Sequence, residues 1–338
     1  MSAASVRDVA LRAGVSVGTV SNVLNRPDKV TAETVARVMG AIDDLGFIRN
    51  DAARQLRAGH SKTVGLVVLD VRNPFFTDLA RGAEDEAASA GLTVILGNSD
   101  ENSDREAAYL DLFEEQRVHG VLISPFGDIT KRLERLRDRG IQAVLVDRSS
   151  GDASFSSVSV DDLAGGRLAV EHLIAQGRSR IAFIGGPIEI RQVEDRLAGA
   201  RMAVAAHPGT ELETVDIEAL SVLAGRAAGV EIASRAPAQR PDAIFAANDL
   251  VAMGVLQALM MQSSDIRVPR DISLIGYDDI DFASAAVVPL SSIRQPSMLI
   301  GHTAVEILIE QAADPTTPPR QVVFEPELVV RESSRGLA

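Results

Sequence analysis

The sequence contains no Cys and no Trp, and only 4% of its 338 residues are aromatic. The lack of Cys excludes a disulfide framework, thiolate metal sites and Cys nucleophiles. No apolar run approaches the roughly 20 residues that a membrane helix needs. The opening stretch MSAASVRDVALRAG has no apolar signal core and is broken by Arg7, Asp8 and Arg12. That argues against secretion and makes the cytoplasm the expected compartment.

Catalytic signatures are equally scarce. The five His residues, at 60, 119, 172, 207 and 302, show no metal-ligand spacing. There is no phosphate loop, no GxGxxG and no nucleophile elbow. Gly165-Gly166 and Gly185-Gly186-Pro187 read as turn glycines. Asp161-Asp162 resembles a paired carboxylate, but reads better as the cap of a helix beginning near Leu163. No enzyme activity, metal or cofactor is expected.

What the chain does have is 46% hydrophobic and 24% charged residues, an ordinary globular balance long enough for two or three domains. The net charge of −13 is unevenly spread. Residues 1–60 carry eight Lys or Arg against six Asp or Glu, a net of +2. The other 278 residues carry 26 against 41, a net of −15. A small basic head on an acidic body keeps DNA among the expected partners despite the overall sign.

The head reads as three short helices. Ser5-Val6-Arg7-Asp8 has the form of a capping box, and Val6, Val9, Ala10 and Ala13 share a face. Gly14 ends that helix. Ser16 is placed to cap a second helix over 17–24, and Thr31 a third carrying Val35, Val38, Ile42 and Leu45. Val30 and Val35 are spaced as a hydrophobic staple, and Gly46 is a C-terminal stop. Two helices joined by the tight turn Ala13-Gly14-Val15-Ser16 form a helix-turn-helix pattern. A small helical bundle without a DNA role fits the same pattern.

The segments Val6-Arg7-Asp8-Val9-Ala10 and Ala13-Gly14-Val15-Ser16-Val17-Gly18-Thr19-Val20-Ser21-Asn22-Val23-Leu24-Asn25 closely resemble the head of the LacI/GalR (lac repressor) family. The resemblance implies that Val17, Gly18 and Asn22 read bases, while Ser16, Thr19, Ser21 and Asn25 bond phosphates. Asn22 stands where many relatives carry Arg, and Asn pairs with adenine more naturally than with guanine. It also implies a hinge helix and linker over 50–61. There Leu56 wedges into the minor groove, with Arg54 and Arg57 beside DNA.

From Thr63 onward, helical stretches alternate with continuous apolar runs at 64–69, 93–96, 120–123, 143–146, 181–184, 243–246 and 273–276. Such runs are expected of strands buried on both faces in parallel, doubly wound sheets. The expected fold is α/β, with an all-α helix-turn-helix head (1–49) and a doubly wound body (62–338) that, by resemblance to the LacI/GalR family, is two-lobed and periplasmic-binding-protein-like. By resemblance, lobe 1 spans about 62–160 and 292–325, and lobe 2 about 161–291 and 326–338.

Ligands of such sheets bind at the carboxyl ends of strands. By resemblance to the family body, the landmarks there are Asn73, Phe75, Phe76, Asp147, Arg148, Arg196, Asn248, Asp278 and Gln295, a set whose chemistry suits a polyol. Asp249 reads as a helix cap, and Asp279 as solvated. Ile190-Arg191-Gln192-Val193 departs from the small or hydroxyl-bearing run of relatives, and Leu220 replaces an aromatic residue. Both departures weaken a purine or nucleoside effector. The resemblance therefore implies a homodimeric regulator, usually a repressor, of a pseudopalindromic double-stranded DNA operator, controlled by a small effector, a sugar above all. A sugar-binding receptor of the same fold without a DNA role is the alternative. The helix over 75–90 and the one opening near Ser297 are the expected dimer contacts. No membrane partner is expected.

Overall fold

The computed structural model describes residues 4–47, 61–151, 154–262 and 266–336. The expected hinge residues Arg54, Leu56 and Arg57 lie outside the described residues. Two compact units divide the chain, Met1–His60 and Ser61–Ala338.

The first unit holds α1 (Val6–Ala13), α2 (Val17–Asn25) and α3 (Ala32–Leu45). The capping box is formed: the Ser5 N–H donates to Asp8 Oδ2 at 2.8 Å, and the Ser5 hydroxyl accepts the Asp8 N–H. Gly14 and Gly46 end α1 and α3 at φ of 65° and 56°. This left-handed conformation costs glycine nothing. Thr31 occupies the cap position of α3, but its hydroxyl donates to Thr34 Oγ1 and satisfies no backbone N–H. Val9, Val20, Val23 and Val38 form the core, with Val30 and Val35 packed against it.

The second unit begins with β1 (Thr63–Val68), α4 (Pro74–Ser89), β2 (Thr93–Asn98), α5 (Ser103–Glu115), β3 (Gly120–Ile123), α6 (Thr130–Asp138), β4 (Gln142–Val146) and β5 (Ser156–Val160). It continues with α7 (Asp162–Ala175), β6 (Arg180–Gly185), α8 (Arg191–Ala205), β7 (Glu211–Asp216), α9 (Val222–Ser234), β8 (Ala243–Ala246), α10 (Asp249–Gln262), β9 (Ser273–Asp278), α11 (Asp281–Ala285) and β10 (Ser291–Arg294). It closes with α12 (Ser297–Ala313), β11 (Gln321–Phe324) and β12 (Glu327–Val329).

Two six-stranded sheets result. Lobe 1 has the order β11-β5-β4-β3-β1-β2, all parallel. Lobe 2 has the order β12-β10-β9-β8-β6-β7, parallel except for the antiparallel β10–β12 pair. The chain crosses between lobes after β5, after β10 and after β11. The second crossing follows Arg294 rather than falling at 292, because Ser291–Arg294 pair with Ile275–Asp278 of β9.

The central strands are buried along their length, as their apolar runs predict. β2 differs. It is an edge strand, with Ile95 and Leu96 exposed. α4 and α12 pack on each other within lobe 1. A Cβ at Gly82 would lie 2.0 Å from Met298 O, and one at Gly301 2.0 Å from Leu79 O, so only glycine permits this approach. The tail completes lobe 2: the Ser333 hydroxyl accepts the Ser291 N–H at 2.8 Å and donates to Leu274 O at 2.6 Å.

Candidate functional site: a helical reading face and an interlobe cleft

The head presents α2. The Ser16 hydroxyl accepts the Thr19 N–H at 3.0 Å and so fixes where the helix starts. Burial of Val20 and Val23 turns Val17, Gly18, Asn22 and Asn25 outward, with Thr19 and Ser21 half-buried beside them. Val17 is 46% exposed, so it is not a core residue. The Asn25 amide donates to Ser21 O at 2.8 Å and steadies the last turn.

In the body, the carboxyl ends of both sheets face a cleft lined by Leu69, Asp70, Asn73, Phe75, Phe76, Glu101, Asp147, Ile190, Gln192, Arg196, Leu220, Asn248 and Asp278. Its cavity is about 30 Å³, room for one or two waters. Asp147, at the end of β4, and Asp278, at the end of β9, both hold positive φ, 56° and 104°. Non-glycine residues occupy that region at a cost of order 1–3 kcal/mol, and such strain clusters at functional sites. The turns aim both carboxylates into the cleft.

Arg196 stands between them on α8, almost wholly buried. Its Nε donates to Asp162 Oδ1 at 2.7 Å and its Nη1 to Ala247 O at 2.7 Å, with Asp278 Oδ1 4.0 Å away. The guanidinium carbon lies 3.6 Å from the Tyr277 ring centroid, a cation–π contact. Burial alone would lower its pKa, but Asp162, Asp278 and Asp147 hold the cation charged. Burial drives Asp147 well above the ordinary aspartate range, and the carboxylates of Asp162 and Asp278 add to it. Burial also raises Asp278, against the opposing pull of Arg196 and two amide donors.

Those donors are Asn73 Nδ2 and Gln295 Nε2, each 2.8 Å from a different Asp278 oxygen. Gln295 thus backs Asp278 without lining the cavity. Asn73 Oδ1 meanwhile caps α4 by accepting the Phe75 N–H. Asn248 lines the cleft while its Oδ1 accepts the Val251 N–H at 2.9 Å. It therefore caps α10, the role expected of Asp249. Asp249 instead accepts from Ser292 Oγ and the Ile280 N–H, buried behind the site. Asp279 is not solvated but pairs with Arg294 and Arg331. Phe75 and Phe76 both line the cleft, edge to face at 5.0 Å.

Two further expectations change. Arg148 turns away from the cleft, donates to Gly127 O at 2.5 Å, and lines a separate cavity of about 300 Å³ with Asp128, Thr130 and Phe155. Gly165 and Gly166 are helical rather than turn residues. A Cβ on Gly165 would lie 2.2 Å from the Tyr277 hydroxyl, and one on Gly166 2.1 Å from Arg196 O. These glycines make room for the platform beneath Arg196.

Sequence reasoning passed over Asp70, Glu101, Asp162, Gln192 and Tyr277. Asp161 does cap α7, but Asp162 is the buried partner of Arg196. Glu101 is pushed up to about 7 by burial and by Asp70, against the Leu220 N–H it accepts. The departure at 190–193, noted in the sequence, was the available signal for Gln192. Among the described residues, no cluster of His, Asp or Glu is placed to hold a metal, and no helix is long and apolar enough to cross a membrane.

Comparison with known proteins gives this geometry a lineage. Residues 5–50 match the family described as bacterial regulatory proteins, lacI family, and residues 170–334 the periplasmic binding protein-like domain. The chain is 36% identical to the HTH-type transcriptional repressor PurR of Photobacterium profundum, over 99% of both chains. It is 33% identical to the ribose operon repressor of Escherichia coli, covering 98% of this chain and all of that one. The crystal structure of the lac repressor dimer bound to operator and the anti-inducer ONPF superposes with a TM-score of 0.83 at 26% identity, covering 98% of this chain and 99% of that one. The matched head sets aside a receptor without a DNA role. With its helix-turn-helix head and its two-lobed binding body, the chain belongs to the lacI family of bacterial regulatory proteins.

Proposed function

We propose that the chain is a non-enzymatic, homodimeric transcriptional repressor of the cytoplasm whose hold on a pseudopalindromic operator is set by a sugar in the interlobe cleft. The observation that carries the effector reading is the pair of left-handed aspartates, Asp147 and Asp278, facing one cleft with Arg196 between them. Carboxylates and a guanidinium make charge-assisted bonds to hydroxyls. Asn73 and Gln295 orient Asp278, Asn248 adds a polar group to the cleft, and Phe75 and Phe76 supply an apolar wall. The ribose operon repressor and the operator-bound lac repressor dimer support the same reading.

On DNA, Val17, Gly18 and Asn22 face base edges in the major groove, while Ser16, Thr19, Ser21 and Asn25 bond phosphates. Leu56 is the minor-groove wedge, flanked by Arg54 and Arg57. The exposed edge strand β2, with Ile95 and Leu96, supports a second copy covering lobe 1.

The test has two arms. The operator is selected from random duplex DNA with the full chain, and its affinity is then measured with and without D-ribose, cellobiose, hypoxanthine and guanosine. A sugar that shifts operator affinity supports the proposal. A shift produced only by the base or nucleoside overturns the effector class, and failure to select any sequence overturns operator binding.

A further inference from the structure

Two side-chain amides span the cleft. Asn73 of lobe 1 donates to Asp278 of lobe 2, and its own oxygen is spent on capping α4. Gln192 of lobe 2 donates to Asp147 of lobe 1 twice, to the backbone O at 2.5 Å and to Oδ2 at 2.8 Å. Its other end is not satisfied. Gln192 Oε1 and Asp147 Oδ1 are both buried without a hydrogen-bond partner. A buried polar atom left unpaired costs about 1–3 kcal/mol. Of the two bridges, the one through Gln192 is therefore the one left incompletely satisfied.

Its position is set by α8. Gln192 lies four residues before Arg196, so the two share a helix face one turn apart. Both are buried, 3% and 4% exposed. With the amide in place the cavity is about 30 Å³, far below the few hundred Å³ of a typical ligand site. The cleft in this state admits no sugar, and Gln192 is part of its wall.

We infer that Gln192 is a built-in latch between the lobes. It draws the lobes together by offering Asp147 the donor that an effector would bring, and an effector binds by displacing it. The identity of that effector class rests on the sugar reading above; the latch does not. A displacing ligand must supply two adjacent donors to Asp147 and satisfy the acceptor Gln192 leaves behind. Asp70, Glu101, Asp147 and Asp278 surround that point. The cations Arg196 and Arg72 are already engaged by Asp162 and Asp70. Neutral ligands rich in O–H or N–H groups fit; sugar phosphates and nucleotides do not.

The absence of Cys makes the test direct. Lys131→Cys on lobe 1 and Ala236→Cys on lobe 2 are introduced at exposed positions. Nitroxide labels on both report interlobe distance by double electron–electron resonance in the full chain without ligand. Gln192→Ala shifts the distribution to longer distances. Gln192→Asn, one methylene too short, does the same and covers the case in which the alanine variant folds poorly. Gln192→Met keeps the length of the side chain but carries no donor for the Asp147 backbone O or Oδ2; it opens the lobes as well, which separates the lost hydrogen bonds from lost volume. An unchanged distribution in the alanine and asparagine variants overturns the latch, as does a parent-like distribution in the methionine variant. D-ribose and ribose 5-phosphate are then added to the parent. Opening or repositioning by ribose alone supports the ligand class, and a response to the phosphate overturns it. A silent ribose arm with a working latch counts against the sugar reading only.

Discussion

Tyr277 carries Arg196 on its ring face, and Gly165 leaves the space in which that ring lies. The aromatic face favours the cation electrostatically, and the packing keeps the guanidinium against Asp162 and 4.0 Å from Asp278. Gly165→Ala therefore acts on the site through Tyr277. The added methyl meets the phenol oxygen at 2.2 Å, and overpacking of this kind costs about 1–3 kcal/mol. The substitution is expected to lower the urea midpoint and weaken effector response together. A gain in stability, as alanine gives in an open helix, would contradict the packing.

Asp278 joins a strained backbone to two amide donors. Asp278→Ala strips Asn73 and Gln295 of their acceptor, at about 1–3 kcal/mol. It also leaves a methyl-bearing residue at φ 104°. Asp278→Gly loses the same bonds without the conformational penalty. The glycine variant should be the more stable by roughly 1 kcal/mol, within the range for such strain. Both should abolish the effector response while leaving operator recognition intact. Chemical denaturation and operator titrations check the two halves.

Glu101 gives the body a pH dependence of predictable sign. Its folded-state pKa, about 7, lies above its ordinary value of 4.5. Between these values the folded state holds a proton that the unfolded chain has lost. The group's contribution is therefore fully present below about 4.5 and lost as pH rises toward about 7. Glu101→Gln should be more stable than the parent at pH 8 and lose that advantage by pH 5. Paired urea titrations across this window measure the difference. An advantage that grows on acidification would reverse the assignment.

The outward face of α2 can be changed without disturbing the head. Asn22 is exposed on α2. Asn22→Ala should leave thermal stability within about 0.5 kcal/mol. It should weaken selected-operator binding by about 1–3 kcal/mol while sparing non-specific DNA. Equal loss on both DNAs would assign Asn22 to phosphates rather than bases.

Ile95 tests the edge of lobe 1. A lysine on an edge strand blocks association at little cost to the fold. Ile95→Lys should shift the chain toward monomer in sedimentation velocity, with circular dichroism unchanged. A dimer of undiminished stability would move the interface elsewhere.

Much of this architecture was legible in the sequence because burial and periodicity coincide there. The capping residues Ser5, Ser16 and Gly46 fixed the head, and unbroken Val, Ile and Leu runs marked the central strands. Asp147, Arg196, Asn248 and Asp278 follow such strands, so the cleft could be anticipated from position. What escaped were residues whose role depends on a distant partner. β5 hides because Ser156, Ser157 and Ser159 are buried yet polar; Ser156 accepts from the Arg320 N–H and Ser157 bonds Gln321. β7 hides because an edge strand needs no apolar run. Gly165 looked like a turn because the ring it accommodates lies over a hundred positions along the chain. Arg148 shows the converse: its neighbour Asp147 turns into the cleft, while its own side chain finds Gly127 O.

The Ser333 hydroxyl that ties Ser291 to Leu274, and the strand β12 before it, have a bearing on biogenesis. Domains fold in the order the ribosome releases them. The helical head is released before any strand of the body. Lobe 2 gains β12 and its buried serine only after the other strands have been made. A nascent chain therefore acquires the part that recognises DNA long before the part that regulates it. Any interruption of translation between the two would leave a head without control, which gives quality surveillance a reason to remove such fragments.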